Sequence, residues 1–140
     1  MEVIVNVTHD WGIGFEDQLL VSISADLRRF RALTMGKTVI LGRRTLATFP
    51  GGRPLKNREN IVLTHNAAFA AEGALVAHGL PELFGLLRGK DLDDVCVIGG
   101  ASVYAQLLAY CTRARVTKTD VQVRADRFFP NLDALENWRV

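Results

Sequence analysis

In the stretch SISADLRRF, Asp26 is the single acid among apolar and basic neighbours. Such a carboxylate can serve a helix start, where Ser24 caps the first turn and the macrodipole favours negative charge. It can also serve catalysis, because apolar surroundings strengthen its field and tune its proton affinity. Asp26 is expected to share the face of Leu27 and Phe30 and not that of Arg28 and Arg29. Two further stretches invite anion chemistry: VILGRRTL, with Gly42, and VIGGASVY, with Gly99 and Gly100. Each passes from a β-branched run into a helical pattern through glycine. The missing side chain lets a ligand approach the backbone, and the amides opening the next helix favour phosphate oxygens. Arg43, Arg44 and Thr45 add charge and a hydroxyl at the first junction, and Ser102 adds a hydroxyl at the second. NIVLTHN supplies Thr64 and His65 at a third strand end, where an adenosine phosphate would lie. A dinucleotide pyrophosphate fits between the two glycine junctions, although neither is a GxGxxG fingerprint and each alone also reads as a tight turn.

The elements that must position these residues are legible as alternating runs. VIVNV, TVIL, NIVLT, ALVA, VCVIG and ARVTKTDVQV are β-branched and predict strands. Between them, SADLRRFRALTM, PELFGLLR and ASVYAQLLAY carry helical spacing. Several strands are apolar on both faces, which predicts a largely parallel sheet covered by helices, joined by βαβ crossovers. FPGGRPLKNREN, broken by Pro50, Gly51, Gly52 and Pro54, predicts a surface loop. The last run turns polar and predicts an antiparallel or edge strand.

A chain of 140 residues fits a single domain, 1–140, that buries its core without staples. Seventeen basic against fifteen acidic side chains leave a net charge of +2, too balanced for a general nucleic-acid or membrane surface, so any anion site is local. The two cysteines form no CxxC pair, and His9, His65 and His78 have no ligand-like spacing, so no metal site is expected. No secretory signal or membrane-length apolar run is present in the sequence, and the expectation is a cytoplasmic protein.

DWGIG, ADLRRF, TVILGRRT, RPLKNRENIVLT, VIGGASVY and TKTDVQVRADRFFP stand in the order and spacing of dihydrofolate reductase, and the chain resembles that family almost end to end. The resemblance implies a three-layer α/β fold with a mostly parallel central sheet and helices on both faces. It implies NADPH as cofactor, dihydrofolate as small-molecule substrate, and hydride transfer to the pterin ring. Asp26 would hold the 2-amino group and ring N3 of the pterin, supported by a hydrogen bond from Thr117. Ile4, Val5, Leu27, Phe30, Phe49 and Ile98 would line the pterin site, and Arg58 would pair with the glutamate tail. The cofactor would lie against Asn6, Ile13, Gly14, Gly42, Arg43, Arg44, Thr45, Leu63, Thr64, His65, Gly99, Gly100, Ala101, Ser102, Val103 and Tyr104. Arg43 and Thr64 suit a 2′-phosphate, and Tyr104 would lie near the nicotinamide.

Several positions depart from the family pattern. Leu20, Val21 and Ser24 stand where a Pro-Trp pair and a proline are usual, Asn6 replaces a small apolar residue, and Ser102 stands where many members carry a basic side chain. The last predicts weaker recognition of cofactor charge. The resemblance also implies a final strand pair beyond NLDALENWRV that this sequence does not contain. A monomer is expected, with a dimer or strand exchange if that sheet edge is uncovered. Two other functions stay open at this point: the NADPH-dependent reductase of riboflavin synthesis, acting on a pyrimidine-ribose substrate, and a nonenzymatic pterin or nucleotide binder.

Overall fold

A computed structural model describes residues 1–8, 10–15, 18–19, 24–118 and 127–138; of residues 14–15, 18–19 and 24–27 it describes the backbone alone. Six strands form the main sheet: β1 (Glu2–Val7), β4 (Thr38–Gly42), β5 (Glu59–Leu63), β6 (Ala74–Ala77), β7 (Val95–Gly99) and β8 (Arg113–Lys118). They correspond to the six β-branched runs. Their order is β6-β5-β4-β7-β1-β8, and every pair is parallel. A second, three-stranded antiparallel sheet comprises β2 (Gly12–Phe15), β3 (Gln18–Leu19) and β9 (Arg127–Phe128) in the order β3-β2-β9.

The helices are α1 (Ser24–Thr34), α2 (Arg43–Ala47), α3 (Leu80–Leu87) and α4 (Ala101–Leu107). Gly36 follows α1 at φ +76, in the left-handed region where glycine stops a helix without steric cost. Pro81 opens α3, where its missing N–H is no loss.

Alternation along the strands sorts the core into two sheets of side chains. Val3, Val5, Val7, Ile40, Ile61, Val95 and Val97 pack on one face with Leu83 and Leu87 of α3 and Val103 and Leu107 of α4. Ile4, Val39, Leu41, Val62, Cys96 and Ile98 pack on the other with Leu46 of α2 and with Phe30 and Leu33 of α1. This is the expected three-layer α/β arrangement. At about 1.5–3 kcal/mol for each buried aliphatic side chain, double-sided burial is the main force that holds the strands together.

The final strand takes the edge position that its polar sequence predicted, in the parallel and not the antiparallel sense. β8 runs parallel to β1 in continuous register from Glu2↔Arg113 to Val7↔Lys118, and it is the outer strand among the described residues. Its position follows from α4, which returns the chain to the same end of the sheet and so enforces a parallel partner. The stretch after β1 contains β2 and a tight turn. Thr8 N donates to Gly12 O at 2.9 Å, Gly12 N donates to Thr8 Oγ1 at 2.9 Å, and Trp11 takes φ +66. Leu20 and Val21 lie outside the described residues.

At the amino end of the sheet, Glu2 is buried beside three groups. Arg115 Nε donates to its Oε2 at 3.2 Å, Lys37 Nζ stands 3.9 Å from Oε1, and the Cys96 thiol lies 3.8 Å from Oε1. A buried carboxylate is tolerated only with such partners. Glu2→Gln should lower stability by about 2 kcal/mol in urea unfolding, since two cations lose their counter-charge. Burial pushes the thiols of Cys96 and Cys111 up to about 11, with Glu2 adding to the effect at both. Both should therefore resist alkylation in the native protein at pH 8. Their folded-state pKa is raised, so the stability they contribute is whole below the unfolded thiol range near 9 and is lost as pH rises from there towards 11. Urea midpoints that fall over that interval in wild type, and less in Cys96→Ala, check the sign.

Candidate active site

The carboxyl ends of β5, β4 and β7 lie side by side, which brings Leu63, Gly42 and Gly99 to one edge of the sheet. After β6 the chain returns to insert β7 between β4 and β1, so the crossover direction reverses there and a crevice opens. The two glycine junctions interlock across it. A Cβ on Gly42 would meet Val103 Cγ2 at 3.2 Å, and one on Gly100 would meet Thr45 Oγ1 at 3.1 Å. Each glycine thus receives a side chain from the other junction's helix, and α2 and α4 approach more closely than side chains would allow. Gly99 has φ +139, a conformation left to glycine, and the Gly99–Gly100 peptide is cis.

The resulting cleft measures about 450 Å³ and is open to solvent. Gly42, Arg43, Arg44 and Thr45 form one wall, and Gly100, Ala101, Ser102 and Val103 form the other. Leu63, Thr64 and His65 close one end, and Ile13 of β2 also lines the cleft. Arg43 and Arg44 are exposed side chains on this wall. The donor set suits an elongated polyanion: guanidinium groups, hydroxyls and backbone amides at two helix starts.

Beside the cleft, Ile4, Ile98, Phe30 and Phe49 share one apolar cluster. The first strand splits its two expected contacts, however. Val5 is 5% exposed and packs with Val3 and Val7 on the opposite face from Ile4, because strand neighbours point opposite ways. Tyr104 is buried, donates its hydroxyl to Ile4 O at 2.8 Å, and meets Phe129 edge-on at 5.0 Å. Burial raises its phenol well above the ordinary range, so it is a permanent donor that ties α4 to β1. Tyr104, Gly99 and Asn6 are not among the described residues that line the cleft.

Arg58 stands on the rim of the apolar cluster in a loop built for it. The buried Asn60 side chain accepts from Leu55 N at 3.0 Å and donates to Leu55 O at 2.9 Å and to Arg58 O at 3.0 Å. Arg58 Nη1 reaches Thr34 Oγ1 at 3.2 Å, which fixes the guanidinium against the end of α1. Burial first, then the nearby Arg31 cation, lower its pKa from the ordinary arginine value.

Asp26 and Leu27 occupy the first turn of α1, and their side chains lie outside the described residues. Helix α1 begins at Ser24 itself. Thr117 lies on β8 opposite Asn6 of β1, and its Oγ1 accepts from Arg29 Nη1 at 2.9 Å. This corrects the expectation that Arg29 faces away: it follows Asp26 by three residues, a spacing that makes helical neighbours. Thr48, Gln106 and Arg127 also line the cleft and were missed from sequence. Gln106 stands four residues after Ser102 and donates to its Oγ at 3.2 Å, a helical spacing that would have revealed it. Arg127 arrives from a strand distant in sequence and carried no local signal.

A glycine-edged, cationic crevice at the switch point of a parallel sheet defines an α/β nucleotide-binding enzyme. The family model described as dihydrofolate reductase matches residues 1–140. The type 3 dihydrofolate reductase of Salmonella typhimurium is 37% identical over 94% of this chain and 78% of its own length. A Staphylococcus aureus dihydrofolate reductase is 32% identical over 100% of this chain and 84% of its own. The Enterococcus faecalis dihydrofolate reductase, solved with NADP(H) and RAB-propyl, superposes with a TM-score of 0.83 at 34% identity. The match covers 94% of this chain and 77% of that one. The chain belongs to the dihydrofolate reductase family and is an NADPH-dependent reductase of that family. The riboflavin-synthesis alternative falls with that assignment.

Gly100 has φ −97, which any residue adopts, so a substitution there meets only a steric barrier. Gly100→Ala should cost about 1–3 kcal/mol of stability by overpacking against Thr45. Thr45→Ala in the same chain should recover part of it, as read from urea unfolding of the two variants.

Proposed function

We propose that this chain reduces 7,8-dihydrofolate to 5,6,7,8-tetrahydrofolate, with Asp26 orienting and polarising the pterin. The single observation that supports the reading most is adjacency. Phe49 of the apolar cluster follows Thr48 of the cleft, and Ile98 leads into the Gly99–Gly100 junction, so a flat ring held by the cluster would meet a dinucleotide in the cleft edge to edge. Bound NADPH supplies the hydride. Its pyrophosphate would lie between Gly42 and Gly100, whose bare α-carbons leave room for phosphate oxygens. Arg43 and Thr64 would take the 2′-phosphate, and His65 would lie beside them.

On the substrate side, Asp26 would accept two parallel hydrogen bonds from the 2-amino group and N3, fixing which ring face is presented. At that distance across the ring it acts through its field and on the tautomer, and the N5 proton comes through water. Thr117 can support it without giving up its bond to Arg29. In that bond the hydroxyl oxygen accepts, so the hydroxyl hydrogen is left to donate to a carboxylate. Leu27 would complete the apolar wall, and the rim Arg58 would pair with the glutamate tail through its planar fork.

Loss of nicotinamide absorbance in the presence of dihydrofolate tests the reading. Asp26→Asn should lower kcat/KM on the order of 100-fold near neutral pH and leave NADPH affinity unchanged. Loss of NADPH affinity in that variant would move the carboxylate to the cofactor side. Binding of both ligands to the wild type without turnover would instead favour the nonenzymatic binder.

A further inference from the structure

We propose that Arg127 is a cofactor-positioning residue that contacts the pyrophosphate of bound NADPH, supplying from β9 the cation that α4 lacks. The inference rests on the reading of the glycine-edged cleft as the NADPH site. The α4 wall of that cleft is uncharged: Ser102 and Gln106 face it and hydrogen-bond to each other. Arg43 and Arg44 charge only the α2 wall. Arg127 lines the same cleft as Ser102 and Gln106 but belongs to the small antiparallel sheet.

Its placement has a mechanical cause. Phe129, two residues on, is 2% exposed, stacks near Trp11 with ring centroids 6.2 Å apart, and meets Tyr104 of α4 edge-on at 5.0 Å. Phe129 N also donates to Trp11 O at 2.8 Å. Residues two apart on an extended chain point the same way, so the plug that seats Phe129 against α4 turns Arg127 to the cleft and Phe128 out to solvent. Opposite Arg127 in register is Gly14, next to Ile13, which also lines the cleft. β2 packs against β1, which β7 and β4 separate from β5, the strand that leads into Thr64 and His65, so the pyrophosphate and not the 2′-phosphate is its target.

Titration of intrinsic tryptophan fluorescence with NADPH and with NADH separates the outcomes. Arg127→Met should weaken both dinucleotides by a common factor of about tenfold, because the pyrophosphate is common to both. Arg127→Lys should recover part of the loss, and thermal melting without ligand checks that each variant is folded at the temperature of the titration. Unchanged affinity for both dinucleotides would overturn the proposal, as would a loss confined to NADPH, which would put Arg127 on the 2′-phosphate. Wild type that binds neither dinucleotide would overturn the underlying reading instead. If Arg127→Met fails to fold, Arg127→Gln provides the same comparison.

Discussion

Burial of both faces of the parallel sheet is the constraint from which the site follows. β4 and β7 lie at its centre, where Val39, Ile40, Leu41, Val95, Cys96 and Val97 are wholly buried or nearly so. A strand covered on both sides has no freedom to slip, because a one-residue shift would send every side chain to the wrong layer. Parallel pairing then brings all the carboxyl ends to one edge. The loops that leave that edge lie outside the ladder, and this is where glycine permits a ligand to approach.

The two poles of the sheet are chemically different. At the amino end, Glu2 is enclosed by Arg115, Lys37 and the thiol of Cys96, a set in which charges satisfy one another. At the carboxyl end, the cations of α2 look into an open cleft. Charge enclosed within the sheet supports the fold at one pole, and exposed arginines line a cleft at the other. Tyr104 links the layers, since its hydroxyl holds β1 while its ring receives Phe129 from the small sheet. The contact passes the position of the helix wall to β9, and thereby to Arg127.

The Ser102 position shows how a family pattern can be kept in chemistry while being lost in sequence. A serine where a basic residue is usual suggests a weaker grip on cofactor phosphate. The fold brings an arginine to the same cleft from another sheet, so the charge balance of the site cannot be read along one motif. Arg29 makes the same point on the substrate side, because its bond to Thr117 couples the second turn of α1 to β8.

The amino-acid sequence by itself determined the six strands of the main sheet, the helices, the three layers and both glycine junctions. Each rests on local pattern: β-branched runs, helical spacing and glycine at strand ends are short-range properties. It also determined the family, through motifs held in register along nearly the whole chain. Tertiary structure alone decided that β8 runs parallel to β1, that Val5 faces away from Ile4's partners, and that Asn60 pins the loop of Arg58. It alone brought β2 and β9 together, across more than a hundred residues of chain. Strand pairing and side-chain plugs such as Phe129 are contacts between distant segments, and their energy comes from surfaces that meet only when the whole core closes.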